Sequence, residues 1–257
     1  MILAIDSGNT HTTVGCIKEN ERDICVFRIP TDRAETEFGY AVKIRQILQL
    51  FQISEADLTG AIISCVVPPL TGVLVKAVRL LADLEPLVVG AGVKTGLHIR
   101  INDPGTVAAD LVSAAVAAKE LYPLPCAVVD MGTATTLTVI DTDGKYIGGM
   151  ILPGVGLSLD ALSEGTALLP KIEIVPPKSA IGANTVDCMK AGIVYGAAGA
   201  VDGILDRTAE ALGCEPASIV ATGGLASSIV PHCKHAITLD DTLILKGLKL
   251  IWERNQK

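Results

Sequence analysis

Ile2-Leu3-Ala4-Ile5-Asp6-Ser7-Gly8-Asn9-Thr10-His11-Thr12-Thr13-Val14 is the stretch on which the reading of this sequence turns. Its apolar opening is short and ends in an acid. A turn rich in hydroxyls and amides follows, and apolar alternation then resumes. That pattern predicts a buried strand, a tight turn and an antiparallel return strand, with Asp6 at the sheet edge. Backbone N–H groups of such a turn, helped by Asn9, Thr10 and Thr12, can surround a phosphate, and Gly8 lets the main chain come close to it. Asp6 is an anion and repels phosphate, so its natural partner is a hydrated divalent cation. One copy of this hairpin is equally consistent with a plain polar turn.

A second copy changes the balance. Ala127-Val128-Val129-Asp130-Met131-Gly132-Thr133-Ala134-Thr135-Thr136-Leu137-Thr138-Val139 repeats the form: apolar strand, Asp-x-Gly, hydroxyl-rich turn, alternating strand. The two aspartates lie about half the chain apart, and a repeat of that length indicates a duplicated domain. Two phosphate loops facing each other from two halves make a nucleotide cleft.

Composition bounds the alternatives. At 257 residues the chain can form one large domain or two medium ones. Hydrophobic residues reach 49% but are spread out; no uninterrupted apolar run attains the roughly 18–20 residues of a membrane-spanning helix. Asp6 follows the first apolar residues too soon for a signal peptide. A net charge of −7 without basic runs argues against nucleic acid as the main partner. An aromatic share of 3% leaves few platforms for stacking bases. The seven cysteines are scattered and form no C-x-x-C pair, as expected of buried thiols in a reducing cytoplasm. His232-Cys233-x-His235 has no second ligand pair nearby and is not read as a metal site.

Along the chain, Ile24–Ile29 reads as a third strand closed by Pro30, and 36–51 has helical apolar spacing. Ala61–Val67 is an apolar run halted by Pro68-Pro69, a central strand. Leu70–Leu84 is helical and Leu87–Val89 a short strand. Strands alternating with helices indicate an α/β chain. Turn residues at 102–105 place Asp110 near the first turns of an alanine-rich helix ending near Tyr122; an acid there is often only a helix-dipole partner. Pro123 and Pro125 mark the boundary between halves 1–122 and 123–257. In the second half a turn at Asp143-Gly144 leads into Tyr146–Ile151, and Pro153-Gly154 starts a helix through Leu162. A surface loop is expected over 171–183. Asn184–Leu212 is a long helix whose Gly192, Gly196, Gly199 and Gly203 suit close approach of another helix, or could flank a nucleotide. Ser218–Thr222 is a strand before Gly223-Gly224, and Thr242–Arg254 a closing helix.

Taken together, the motifs resemble those of the type III pantothenate kinases, within the acetate and sugar kinase, hexokinase and actin superfamily. They are Asp6-x-Gly8-Asn9-Thr10, Asp130-x-Gly132-Thr133-Ala134-Thr135-Thr136, Gly148-Gly149-x-Ile151-x-Pro153-Gly154, Thr166-Ala167-x-Leu169-Pro170, Gly182-x-Asn184-Thr185 and Ala221-Thr222-Gly223-Gly224-Leu225-Ala226. The resemblance runs nearly end to end. It implies an α/β fold of duplicated ribonuclease-H-like (actin-like ATPase) domains with mixed sheets flanked by helices. It also implies a homodimer, ATP with Mg²⁺, and phosphorylation of pantothenate, the first step toward coenzyme A. By the same resemblance Asp6, Ser7, Gly8, Asn9, Thr10, His11, Thr12 and Thr13 bind the ATP phosphates, and Thr133 contacts ATP from the other half. Asp130 matches a site for K⁺ or NH₄⁺, Ala108, Ala109, Asp110 and Leu111 match the acceptor motif, Thr185 matches a substrate contact, and Asp110 matches the catalytic base.

The residue types suit phosphoryl transfer, which needs neutralised phosphates, an in-line alcohol and a carboxylate to take its proton. No Walker lysine is present, so charge compensation falls to Mg²⁺ at Asp6, a second cation at Asp130 and backbone donors. One motif departs from the family: where Gly-Ala-Asp-Arg is usual, this chain has Ala108-Ala109-Asp110-Leu111. The tyrosine usual near Ile101 is also missing, and Phe38-Gly39 stands before Tyr40 in place of Asp-Glu. Leucine donates no hydrogen bond. Three readings stay open from sequence: another cation, Arg100 or Arg33, takes over; the acceptor is a related small alcohol; or the chain is a nucleotide-binding regulator without turnover.

Overall fold

A computed structural model describes residues 1–18 and 24–256. In chain order its elements are β1 (Ile2–Ser7), β2 (His11–Ile17), β3 (Ile24–Pro30), α1 (Glu37–Leu50), β4 (Gly60–Cys65), α2 (Pro68–Ala82), β5 (Leu87–Val88), β6 (His98–Ile99) and α3 (Ala109–Leu121). The second half continues with β7 (Cys126–Met131), β8 (Ala134–Ile140), β9 (Lys145–Pro153), α4 (Val155–Glu164), α5 (Thr185–Leu212), β10 (Ser218–Thr222), α6 (Ala226–Ile229), β11 (Thr238–Leu239) and α7 (Leu243–Asn255). No helix or strand interrupts 171–183.

The first sheet runs β3-β2-β1-β4-β5. Its central strand pairs antiparallel with β2, Asp6 opposite Thr13, and parallel with β4, Asp6 beside Ser64. Ile2, Leu3, Ala4 and Ile5 are all fully buried because both faces of the sheet are covered. Leu3 and Ile5 join Ile44, Leu48, Leu70 and Leu74 from α1 and α2 in one core cluster. Helix α7 packs on β1 and β4. Thr36 caps α1, its hydroxyl accepting from the Gly39 N–H, which satisfies a donor the helix cannot. Pro68 and Pro69 do more than halt β4. They open α2, where a missing N–H and a fixed φ are tolerated.

The second sheet runs β11-β10-β7-β8-β9-β6. Strand β7 pairs antiparallel with β8 and parallel with β10. Reading β9-β8-β7-β10-β11 against β3-β2-β1-β4-β5 gives the same order and sense of connection, with β6 added at one edge. The duplication visible in the two Asp-x-Gly stretches is therefore a duplication of whole sheets. The two turns differ in length. Asp6 lies opposite Thr13, whereas Asp130 lies opposite Thr136, so the second hairpin is tighter by one residue.

The chain forms two compact units that are not contiguous in sequence. One comprises Met1–Leu97, Asn102–Ala117 and the segment from Thr242; the other comprises His98–Ile101 and Ala118–Asp241. The prolines at 123 and 125 coincide with the start of the repeated strand. The C-terminal helix, however, keeps its contacts with the first unit, whose sheet face it covers.

Helix α5 is long and apolar enough to cross a membrane by length and composition. Val194, Ala198, Val201 and Leu205 nevertheless lie in the core of the second unit, so it is built as a core helix. Within the chain, no other helix lies close against three of its glycines. A Cβ placed on Gly192, Gly196 or Gly199 would meet nothing within 4 Å; that face is open.

Candidate active site

The first hairpin is tied together by hydroxyls. Ser7, fully buried, shares a 3.0 Å hydrogen bond with the Thr12 hydroxyl. Thr12 in turn shares one of 2.9 Å with Thr31, whose hydroxyl donates to the Gly8 carbonyl at 2.8 Å. The turn closes with Gly8 N–H donating to the His11 carbonyl at 3.0 Å, and Thr31 N–H donating to the Thr10 carbonyl at 2.9 Å. These bonds divide the expected phosphate-binding residues by role. Ser7 and Thr12 hold the turn from inside. Asn9, Thr10 and His11 are exposed at its tip, and Thr13 is half-buried.

Asp6 sits half-buried at the end of β1, where Ser64 Oγ donates to its Oδ1 at 2.8 Å. Among the described residues no group of three or more His, Cys, Asp or Glu side chains could hold a metal ion. A lone carboxylate on a strand end still fits Mg²⁺, which keeps several waters and takes one or two carboxylates together with substrate phosphates. At the loop tip, Arg33 Nη2 donates to Asn9 Oδ1 at 2.9 Å.

In the second unit Asp130 ends β7, half-buried, beside Thr222 of β10. The Thr133 carbonyl accepts from the Gly154 N–H at 3.1 Å, and Gly154 is the N-cap of α4. That bond places the second turn at the start of a helix, where backbone donors and the dipole favour anions. Behind Asp130, Gly223 adopts φ +95°.

Asp110 lies in the first turn of α3. Its Oδ1 accepts from the Leu111 N–H at 2.7 Å. Burial raises its pKa above the ordinary carboxylate value, against the Leu111 and Asp110 N–H groups, which lower it. Ala108 accepts from the Val112 N–H and Ala109 from the Ser113 hydroxyl, so both act through backbone carbonyls that stabilise the helix start. Leu111 is half-buried. Ala108 to Leu111 belong to the same unit as the Asp6 hairpin; Thr133, Asp130 and Thr185 belong to the other. Thr185 is the first residue of α5 and lines a cavity of about 430 Å³ with Leu162, Leu169, Cys188 and Met189.

Residues 2–207 match the family model described as type III pantothenate kinase. The type III pantothenate kinase of Moorella thermoacetica is 43% identical over 255 residues, which cover 99% of this chain and 100% of that one. That of Bacillus cytotoxicus is 43% identical over 256 residues, 99% and 97% of the two chains. The chain belongs to the type III pantothenate kinase family. A likeness in fold alone extends to the activator of 2-hydroxyisocaproyl-CoA dehydratase from Clostridium difficile, with bound ADPNP. There the TM-score is 0.60 at 13% identity, covering 99% of this chain and 96% of that one.

As a member of this family the chain keeps the α/β architecture of two mixed sheets flanked by helices. Three site features escape a reading by motif. Thr31 and Ser64 are ordinary residues in sequence and become structural partners of the loop only through strand pairing. Gly223 is visible as a di-glycine turn, but not as the neighbour of Asp130.

Proposed function

We propose that this chain transfers the γ-phosphoryl group of ATP to pantothenate, giving 4′-phosphopantothenate, the first step of coenzyme A biosynthesis. The observation that carries the reading is Asp110: a partly buried carboxyl with a raised pKa, fixed by the Leu111 N–H, inside the family's acceptor motif. A general base works best when its pKa is drawn toward the operating pH and its geometry is held.

On this reading the exposed tip of the first hairpin, Gly8 to His11, binds the ATP phosphates through backbone and side-chain donors, and Ser7, Thr12 and Thr31 keep it in shape. Thr133 is read as an ATP contact on its motif alone. Asp6 would hold Mg²⁺, which would supply charge neutralisation at the phosphates. Asp130, at the matching strand end, would hold the monovalent cation, K⁺ or NH₄⁺. Asp110 accepts the proton of the pantothenate primary hydroxyl as its oxygen attacks phosphorus in line. Thr185 positions the acceptor.

Leu111 removes a donor that relatives use for the acceptor, and a charge-assisted bond of that kind contributes about 1.5–3 kcal/mol. Pantothenate is retained in our reading because the likeness to pantothenate kinases spans the whole chain. We further propose a homodimer formed by the second unit. Leu157, Leu162, Val186 and Tyr195 are exposed there beside the open glycine face of α5, and exposed apolar patches of this kind mark interfaces.

The test is a coupled assay for ADP release with ATP, Mg²⁺ and KCl. It is run on pantothenate, on a panel of small alcohols, and without acceptor. Turnover with pantothenate at least tenfold above every other arm supports the proposal. Turnover on another alcohol, or none with ATP binding retained, overturns it in favour of an altered acceptor or a regulator. Light scattering on the eluting protein checks the dimer.

A further inference from the structure

The first hairpin carries no lysine or arginine from Asp6 to Val14, yet a triphosphate brings several negative charges to it. One arginine is delivered to its tip from elsewhere in the fold. Thr31 follows β3 and is fastened to the loop at three points, by its N–H to the Thr10 carbonyl, its hydroxyl to the Gly8 carbonyl, and its hydroxyl to Thr12. In the next residue, Asp32, Oδ1 accepts from the Ala34 N–H at 2.9 Å, an Asx-type turn that fixes the backbone around Arg33. The exposed Arg33 side chain then reaches back to Asn9, at 2.9 Å.

We propose that Arg33 is a phosphate-contacting residue of this kinase, its guanidinium held on Asn9 so that it supplies at the loop tip the positive charge the loop itself lacks. This rests on the reading that the Asp6 hairpin holds the ATP phosphates. The chemistry favours arginine in this place. A guanidinium has five N–H donors in a rigid fork. One donor is engaged by Asn9, which orients the plane and leaves the others for phosphate oxygens, where forked geometry and charge combine. Held on Asn9, the guanidinium has less rotamer freedom to lose on meeting a phosphate. The assignment places Arg33 on the nucleotide side and so removes it as the replacement for the arginine missing at Leu111.

The experiment is calorimetric titration of the Mg²⁺ complex of a non-hydrolysable ATP analogue into the full chain. Arg33→Gln is expected to weaken binding about tenfold to a hundredfold, with its melting temperature unchanged. Arg33→Lys is expected to recover part of the loss, since it keeps the charge without the fork. Arg79→Gln, on an arginine paired with Glu85 on the surface of α2, should bind like the parent. Analogue affinity for Arg33→Gln within threefold of the parent overturns the proposal, as does an effect seen solely as a higher KM for pantothenate. Gly8→Val and Asp6→Asn separate the two levels. If these variants weaken binding while Arg33→Gln does not, the loop holds phosphate and Arg33 has no part in it. If they bind as the parent does, the hairpin reading fails, and the proposal for Arg33 with it.

Discussion

Gly223 stands so close to Asp130 that a Cβ on it would lie 2.5 Å from the aspartate Oδ1 and 2.7 Å from the Met131 nitrogen. Its φ of +95° is one that residues with side chains rarely adopt. The di-glycine turn after β10 therefore serves as the wall against which the Asp130 carboxylate rests. Gly223→Ala must move either that wall or the carboxylate. We expect a loss of stability of about 1–3 kcal/mol, and a turnover at least tenfold lower whose half-saturation by KCl is raised. Rates measured across a KCl series check this. An unchanged KCl dependence would separate Asp130 from cation binding.

Asp110→Asn is expected to lower turnover by about two or more orders of magnitude while the ATP analogue still binds. With Asp110 as the proposed base, its raised pKa sets the expected pH dependence. A base must be ionised to act, so the acidic limb of kcat/KM for the parent should fall above the ordinary carboxylate range.

The same shift has a sign for stability. A carboxyl whose pKa is raised by folding stabilises the protein fully below its unfolded value and loses that contribution as pH rises through the folded value. At neutral pH its ionised form is a cost, which the neutral asparagine removes. Asp110→Asn should melt higher than the parent at pH 7, with the gain shrinking toward acid pH. Calorimetric scans at several pH values decide it. A lower melting temperature at pH 7 would mean that the carboxylate is stabilised in the fold by partners other than its own helix.

Leu111→Arg introduces the donor that the family resemblance leads one to expect at this position. With a half-buried position to grow from, the new guanidinium should lower the KM for pantothenate by about tenfold, the equivalent of one modest charge-assisted bond, and leave the KM for ATP unchanged. Steady-state kinetics in both substrates test it. A KM for pantothenate that does not fall would mean that the acceptor is held in this chain by a different set of contacts.

Gly60 opens β4 beneath the ring of Trp252 on α7, and a Cβ there would overlap the indole. Trp252 is the single tryptophan of the chain, so its fluorescence reports on the first unit. Gly60→Ala should shift unfolding followed by that fluorescence by about 1–3 kcal/mol, the cost of overpacking a rigid contact. Urea titrations followed by tryptophan emission check the prediction. A variant as stable as the parent would show that α7 can move away from the sheet without penalty.

The strand–turn–strand of each Asp-x-Gly motif was legible because buried strands, turn residues and alternation all act locally. The order of β1, β2 and β4 repeats in β7, β8 and β10, so a repeated local pattern carried the whole topology. What was hidden depends on distance along the chain. Thr31 locks to Gly8 across more than twenty residues, and Ser64 reaches Asp6 through a parallel pairing. The two-residue strands β6 and β11 have no periodicity to detect. The glycines of α5 had the spacing of a helix contact, but spacing alone cannot say whether a neighbour is present.

The docking of α7 on β1 and β4 also bears on how the protein is made. Strands β1 and β4 precede α7 by most of the chain, so their sheet lacks that covering helix until residues 243–255 have been synthesised. The second unit, complete by Asp241, can reach its fold sooner. The nascent chain thus reverses the usual N-to-C order of domain completion, and the exposed face of β1 and β4 is the surface a chaperone would have to guard in the interval.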